Sequence, residues 1–326
     1  MSIWQQQLAY DAVGALLSCD NQAIQYFTRQ DLLGEPSSPI NQLWALPQVS
    51  LTIKKQQENG RWRYADKGTL RLKATNYDQL ETYRQLAVLV DKFGLNKKHP
   101  SIRAAADYLF LHQSAEGDFR GIYGNQYTPN YSAAIMELLI KAGYDSDKRI
   151  EMGFGWLSSV QQNEGGWALP FRTQDMGLGA IKQYKTIPLD RSKPFSHLVT
   201  GIVLRAFAAH PNHINDQAAK TARQLMLHRI FERDAYPDRN TKAFWTKFSY
   251  PFWQTDILSI LDVLSKMGYT QHEGKVNQAV QWFVDHQKPD GNFNVDIIRG
   301  NKANSESWIT LAVCRVLKQL EENKTL

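Results

Sequence analysis

The feature that most constrains this chain is a spacing that occurs four times. An apolar residue, usually aromatic, is followed by Gln after five positions, Gly after four more and an aromatic after two more. Trp156, Gln161, Gly165 and Trp167 set out the pattern. It recurs as Leu51, Gln56, Gly60 and Trp62, as Tyr108, Gln113, Gly117 and Phe119, and as Trp282, Gln287, Gly291 and Phe293. A second feature keeps the same period: Lys92-Phe93-Gly94-Leu95, Lys141-Ala142-Gly143-Tyr144 and Lys266-Met267-Gly268-Tyr269 each close a helical run. Gln56 to Gln113 is 57 residues, Gln113 to Gln161 is 48, and Gln161 to Gln287 is 126, or two periods. Gly94 to Gly143 is 49 and Gly143 to Gly268 is 125. Two unrelated features sharing one period define an internal repeat of roughly 50–60 residues.

Each unit reads as a helical hairpin. The first helix carries the aromatic and Gln. The second opens at Asn76-Tyr77, Asn130-Tyr131, near Phe195, at Tyr250-Pro251-Phe252-Trp253 and at Ser307-Trp308. Gly94 is expected in the left-handed conformation that ends a helix, with Leu95 as its hydrophobic partner. In the fourth unit, a helix around 218–231 runs into Tyr236-Pro237-Asp238-Arg239 without Gln or Gly in their slots. A hairpin of this size cannot bury its own apolar face, so the units must stack. Five hairpins over 49–320 follow helices within 1–48, which make a sixth, enough to close a ring. The expected fold is therefore all-α, an (α/α)6-type toroid in a single domain over 1–326. The connection 173–194 is longer than a compact domain usually tolerates, which marks it as a candidate functional loop.

Composition narrows the class. With 43% hydrophobic and 21% charged residues, and with 14 Phe, 14 Tyr and 9 Trp, the chain has ample material for a core. The first residues lack a basic stretch followed by a long apolar run, and no uninterrupted apolar stretch spans a bilayer, so a cytoplasmic protein without a transmembrane segment is expected. Cys19 and Cys314 lie far apart with no Cys/His metal spacing; neither a metal nor a cofactor is expected, and both read as buried free thiols. The net charge is +6, and from Arg172 to Lys247 there are 13 Lys/Arg against 6 Asp/Glu. That excess reads as a solvated surface; with no recognisable module, no nucleic-acid partner is expected.

Arg103-Ala104, Tyr108-Leu109, Gln113, Gly117 and Phe119, like the Trp156–Trp167 stretch, resemble the repeat of the prenyltransferase and squalene-cyclase superfamily, over roughly residues 42–320. The chain is nearest in build to single-domain bacterial members. The resemblance implies an α/α toroid with inner helices around a central cavity. It also implies two catalytic constellations, and neither is intact. Cyclases of the squalene–hopene kind use Asp-x-Asp-Asp before Thr-Ala; here Thr200-Gly201 is preceded by Ser196-His197-Leu198-Val199, with no acid. Protein prenyltransferases hold zinc through Asp-x-Cys before Tyr-x-Phe-Trp-Gln. Tyr250-Pro251-Phe252-Trp253-Gln254 matches that string, but Lys247 and Ser249 occupy the ligand slots.

Candidate site residues are those near the N-terminal ends of the inner helices, where free N–H groups and a partial positive charge suit a polar head group. Asp256 and Glu137, each within an apolar helix, are the candidate acids, and His197 the third catalytic candidate. The plainer reading of all three is a paired or hydrogen-bonded core residue. Arg120, Tyr127, Tyr131, Trp253, Glu306, Trp308, Asp78 and Glu81 are candidate ligand contacts. Asp78 and Glu81 share a helix face and read equally as first-turn acids, while Trp253 and Trp308 read equally as core aromatics. The leading expectation is a terpenoid-cyclase- or prenyltransferase-like protein holding an isoprenoid or similar apolar or amphipathic ligand, without the Asp-x-Asp-Asp or zinc site. The alternatives are a non-enzymatic scaffold for a protein or metabolite partner, and a carbohydrate-active toroid.

Overall fold

The computed structural model describes residues 2–36, 38–65, 72–299 and 302–325. The all-α class expected from the periodicity is observed. In chain order the helices are α1 (Ala12–Ser18), α2 (Gln22–Phe27), α3 (Pro47–Ile53), α4 (Tyr77–Phe93), α5 (Pro100–Phe110) and α6 (Pro129–Leu139). They continue as α7 (Lys148–Ser159), the single turn α8 (Pro170–Thr173), α9 (His197–Ala209), α10 (Gln217–Arg229), α11 (Ile257–Lys266), α12 (Gly274–Asp285) and α13 (Lys302–Glu322). Among the described residues the only strands are β1 (Lys247–Phe248) and β2 (Asp296–Ile297), which pair in parallel. Contacts divide the chain into two compact units, Ile40–Ala222 and Met1–Pro39 with Arg223–Leu326.

In the 40–222 unit the two helices of each hairpin differ in character. On α6 every residue but Asn130 and Tyr131 is buried, and α9 is buried over nearly its whole circumference. Such helices are apolar on all sides because they lie inside. By contrast α5 and α7 bury one face and expose the other. Helix starts follow local chemistry: the side chain of Asn76 accepts the Gln79 N–H, and Ser196 accepts that of Val199. At the end of α4, Gly94 has φ 62°, and the N–H of Leu95 reaches back to the Leu89 carbonyl at 3.0 Å, the closure expected from the sequence.

The repeated motif works as a double tether. The Gln56 amide donates to the Gly60 carbonyl (2.8 Å) and to that of Ser101 (2.9 Å), in the first turn of the next hairpin's first helix. Gln113 repeats this with Gly117 (2.8 Å) and Arg149 (2.7 Å), and Gln161 with Gly165 and Ala218. The aromatic then ties the loop to its own second helix. The N–H groups of Trp62, Phe119 and Trp167 donate to the buried hydroxyls of Thr82, Ser132 and Thr200 at 2.9, 2.9 and 2.8 Å. Gly60 and Gly117 are required by close approach: a Cβ on either would run into the Ala104 or Met152 carbonyl of the next hairpin.

In the second unit α11 packs on α13, and α1 also packs on α13. Gln287 donates to the Tyr10 carbonyl (2.9 Å) and accepts the Tyr10 N–H (3.0 Å), so the last motif ties to the segment before α1. One boundary differs from expectation. The helix anticipated from Tyr250 starts only at Ile257, because Asp256 is extended (φ −134°, ψ 176°) and its side chain caps Ser259. Asp256 therefore precedes an apolar helix instead of lying within it.

Candidate functional site

The best-developed polar and aromatic grouping of the 40–222 unit is built on the first turns of α4 and α6. Gln79 follows the Asn76 cap and lies one helical turn before Tyr83, whose ring meets Tyr131 edge-on at 6.2 Å. Tyr131 meets Tyr123 at 5.2 Å, and Tyr123 meets Phe171 at 6.0 Å. Gln79 is fully buried, and neither its amide nitrogen nor its oxygen has a hydrogen-bond partner among the described residues; Asn130 Oδ1 lacks one among them too. A buried amide left unpaired costs about 1–3 kcal/mol, so these atoms have capacity for a partner beyond the described residues. Burial pushes the Tyr83 hydroxyl up from its ordinary range, which keeps it neutral.

The loop from Phe119 to Tyr127 borders this group and is held by the 173–194 connection. The Gln126 amide donates to the carbonyls of Gln183 (3.1 Å) and Lys185 (3.0 Å) and accepts the Ile187 N–H (2.9 Å). Asn125 donates to the Tyr184 carbonyl at 2.8 Å. The connection is thus a hydrogen-bonded cover on the 119–127 loop, with a short 3-10 turn over Leu178–Lys182 of its own.

The sequence-derived candidates separate into distinct settings. Arg120 and Tyr127 do come together: the guanidinium lies 4.7 Å from the Tyr127 ring centre and binds Glu116 (2.6 Å) and Asp118 (3.0 Å). The Tyr127 hydroxyl donates to Glu116 at 2.7 Å. Asp78 accepts the Tyr64 N–H at 2.9 Å and pairs with Arg61, whereas Glu81 accepts from Gln85 and Arg84, so the two acids serve different partners. His197 is buried in the first turn of α9. In the other unit Trp308 stacks on Tyr250 at 5.5 Å, Arg299 sits 3.8 Å over Trp253, and Glu306 pairs with Lys288 at 2.8 Å.

Glu137 is buried between two cations, Arg205 at 2.9 Å and Lys141 at 2.7 Å, and Lys141 also reaches Asp91 at 3.0 Å. Burial alone would raise its carboxyl, but Arg205 and Lys141 together hold it down to about 2. It is a carboxylate locked in an ion pair, the opposite of what proton donation to an alkene needs. Asp256 uses Oδ1 to accept the Ser259 N–H at 2.8 Å, an acceptor's role.

Among the described residues one group brings three metal-ligand atoms within 4.8 Å of one another: Glu151, His210 and His213. Its hydrogen bonds show what it does. His210 Nδ1 accepts the N–H groups of Asn212 (3.2 Å) and His213 (3.3 Å), so the proton of the neutral ring is on Nε2, facing the Asp145 carbonyl at 2.9 Å. That nitrogen has no lone pair for a cation. His213 faces Asp216 (2.6 Å) and Glu151 (2.9 Å) and stacks on Phe154 at 4.0 Å. The group is a polar clasp between α7 and the turn after α9.

Residues 51–176 match the profile of the squalene–hopene cyclase C-terminal domain. Those residues hold the first three copies of the repeated motif, so the similarity to this family covers the repeats and no more. Squalene–hopene cyclase of Zymomonas mobilis is 25% identical over 131 residues, which cover 36% of this chain and 19% of that protein. The chain therefore spans about a fifth of the length of this relative. Among solved structures, a type II terpene cyclase from Scytonema, in complex with geranylgeranyl dihydroxybenzoate, superposes with a TM-score of 0.46 at 13% identity, covering 97% of this chain and 87% of that one. A polysaccharide lyase gives 0.45 at 12% identity over 99% and 95%. Likeness at that level says nothing of what this chain binds. No helix among the described residues is long and apolar enough to cross a membrane.

Gln79, Asn130, Tyr83 and Arg205 were not singled out by the sequence. For Gln79 a signal exists. It falls on the stripe Gln79, Tyr83, Leu86, Val90, the buried face of α4, where an amide is out of place. Arg205 gave a weaker one, as a lone cation in an otherwise apolar helix.

Proposed function

We propose that this chain is a terpenoid-cyclase- or prenyltransferase-like protein that holds an isoprenoid or similar amphipathic ligand at the first turns of α4 and α6, without initiating cyclisation by a protonating acid. The observation that carries this is the buried Gln79 amide with both atoms unpartnered among the described residues. Beside it, the rings of Tyr83, Tyr131, Tyr123 and Phe171 offer apolar contact for a hydrocarbon chain. The amide and the free N–H groups of the helix starts suit the polar end of such a ligand. The squalene-cyclase match supports the ligand class. The ion pair of Glu137 and the capping bond of Asp256 favour a binding role over acid catalysis by these two groups.

Native mass spectrometry and thermal shift with farnesyl diphosphate, geranylgeranyl diphosphate and squalene test the reading. At least one is expected to bind, and Gln79→Leu is expected to weaken it about tenfold, the loss of one or two buried hydrogen bonds. Folded protein that binds none of the three refutes it. A second reading, a scaffold for a protein partner, is favoured by Tyr184, which is 90% exposed on the same 173–194 connection as Leu178, 48% exposed. That reading requires Tyr184→Ala to abolish co-purification of a partner while leaving ligand binding intact.

A further inference from the structure

The second and fifth repeats share a histidine immediately before the motif glutamine, His112 and His286. In each, its carbonyl accepts the N–H of the residue after the motif aromatic, from Arg120 at 3.0 Å and from Asn294 at 2.7 Å. The two imidazoles nevertheless have different surroundings. The Asn76 amide lies 3.3 Å from His112 Nε2, and the Tyr108 ring stands edge-on at 5.0 Å. Beside His286 there is instead an open cleft of about 480 Å³, lined by Trp282, Thr246, Asn294, Val295 and Asp296 among others. Ligand clefts commonly have 300–1,000 Å³.

The Thr246 hydroxyl donates to the Ala243 carbonyl at 3.3 Å and keeps its lone pairs for acceptance, and the cleft's other polar side chains have spare capacity. His286 Nδ1 lies 2.7 Å from the Trp282 carbonyl, which can only accept, so Nδ1 carries the proton and the Nε2 lone pair of the neutral ring is left without a partner among the described residues. The side chains of Asn294 and Asp296, both exposed, have no hydrogen bond among the described residues either. The backing is rigid. Lys247 and Phe248 pair in register with Asp296 and Ile297, and Phe248 and Val295 are buried while Asp296 faces out, as strand alternation requires. Trp282 is fixed by its stack on His286 (3.9 Å, 16°) and its contact with Phe248.

We propose that this cleft binds a neutral polyhydroxylated ring, that is, a saccharide unit. Its lone-pair imidazole, carboxylate, amide and hydroxyl present acceptors with a few donors, the complement of a ligand rich in hydroxyl groups. An anion is disfavoured by Asp296 and finds no lining Lys or Arg among the described residues. A quaternary or primary amine lacks an aromatic cage, because one face of Trp282 is taken by His286. A purely apolar ligand would strand these polar groups without water. The inference is independent of the isoprenoid reading, which rests on α4 and α6.

Saturation-transfer NMR and tryptophan fluorescence on the full chain, with maltose, N-acetylglucosamine, glucuronate and spermidine, decide it. Saturable binding of a neutral sugar is expected, weaker by about tenfold in Asp296→Asn and by about fivefold in Asn294→Ala, each removing one or two hydrogen bonds at an exposed side chain that the fold does not use. His286→Ala is expected to abolish it, and circular dichroism checks that the variant is folded. No saturable binding of either neutral sugar overturns the proposal, as does sugar binding indifferent to both exposed substitutions. Stronger binding of glucuronate or spermidine overturns the ligand class.

Discussion

Replacing Glu137 by Gln tests the central ion pair of the 40–222 unit. The substitution keeps shape and removes charge, taking from the buried Arg205 guanidinium its carboxylate at 2.9 Å, while Lys141 keeps Asp91. Breaking a buried pair from one side costs about 3–5 kcal/mol, because an uncompensated charge remains. The titration gives a consistent size. A carboxyl brought from 4.5 to about 2 by its surroundings contributes about 3 kcal/mol. Because the folded-state value lies below the unfolded one, that contribution is complete above about pH 5 and is lost as pH falls from there towards 2. At 2–4 °C per kcal/mol for a unit of this size, Glu137→Gln is expected to lower the melting midpoint at pH 7 by about 6–20 °C. The deficit should shrink progressively below pH 4.5. Circular dichroism melts at pH 7, 5 and 3 measure both effects. The double substitution Glu137→Leu/Arg205→Met should recover much of the loss, since it removes both charges. A midpoint within 1–2 °C of the parent at pH 7, or a deficit that does not shrink on acidification, refutes the role given to the pair.

Three further outcomes follow from the fold. Gln113→Ala removes both donors that hold the Gly117 and Arg149 carbonyls, and chemical denaturation should show a loss of about 1–3 kcal/mol. Gly60→Ala, at φ 85° against the Ala104 carbonyl, should be severely destabilising, whereas Gly155→Ala, in an exposed position of α7 with nothing within 4 Å, should raise stability by about 0.5–1 kcal/mol; paired melts compare them. Burial pushes the Cys314 thiol up to about 12, so in the native protein a thiol reagent should modify the part-exposed Cys19 first and reach Cys314 only on unfolding. Equal rates would refute that.

How much of this was legible in the sequence depends on where each signal resides. The hairpins, the motif tethers and the left-handed Gly94 were readable because they are local or periodic: a spacing, a cap, a glycine. Thr82, Ser132 and Thr200 were not, although each accepts a hydrogen bond from a motif aromatic. A hydroxyl in an apolar helix reads as tolerated packing until its partner is known. Thr200 had drawn attention only through its likeness to a cyclase string. The acids were hard to read for a related reason. An acid in an apolar stretch announces that its environment is unusual without giving the sign. For Glu137 the sign is set by Arg205, 68 residues away; Asp256 lies one residue before the helix that it caps, which its apolar neighbours did not reveal. The imidazole of His286 and the Asp296 carboxylate come together through a loop return, which no spacing rule anticipates.

The motif glutamines have an asymmetry with consequences for how such a chain can change. In Gln56, Gln113 and Gln161 the giving side is a specified side chain, but the receiving side is always main chain: Ser101, Arg149 and Ala218 contribute only their carbonyls. A peptide carbonyl is the same whatever residue bears it. Through the glutamine each hairpin therefore imposes on its successor a backbone position, and side-chain contacts such as the Arg149 guanidinium 3.5 Å over the Phe110 ring are added to it. A neighbour's exposed outer face can be rewritten without disturbing the glutamine bond itself. Fold and function are in this way decoupled at the level of the connector, and one such frame can carry unrelated surfaces.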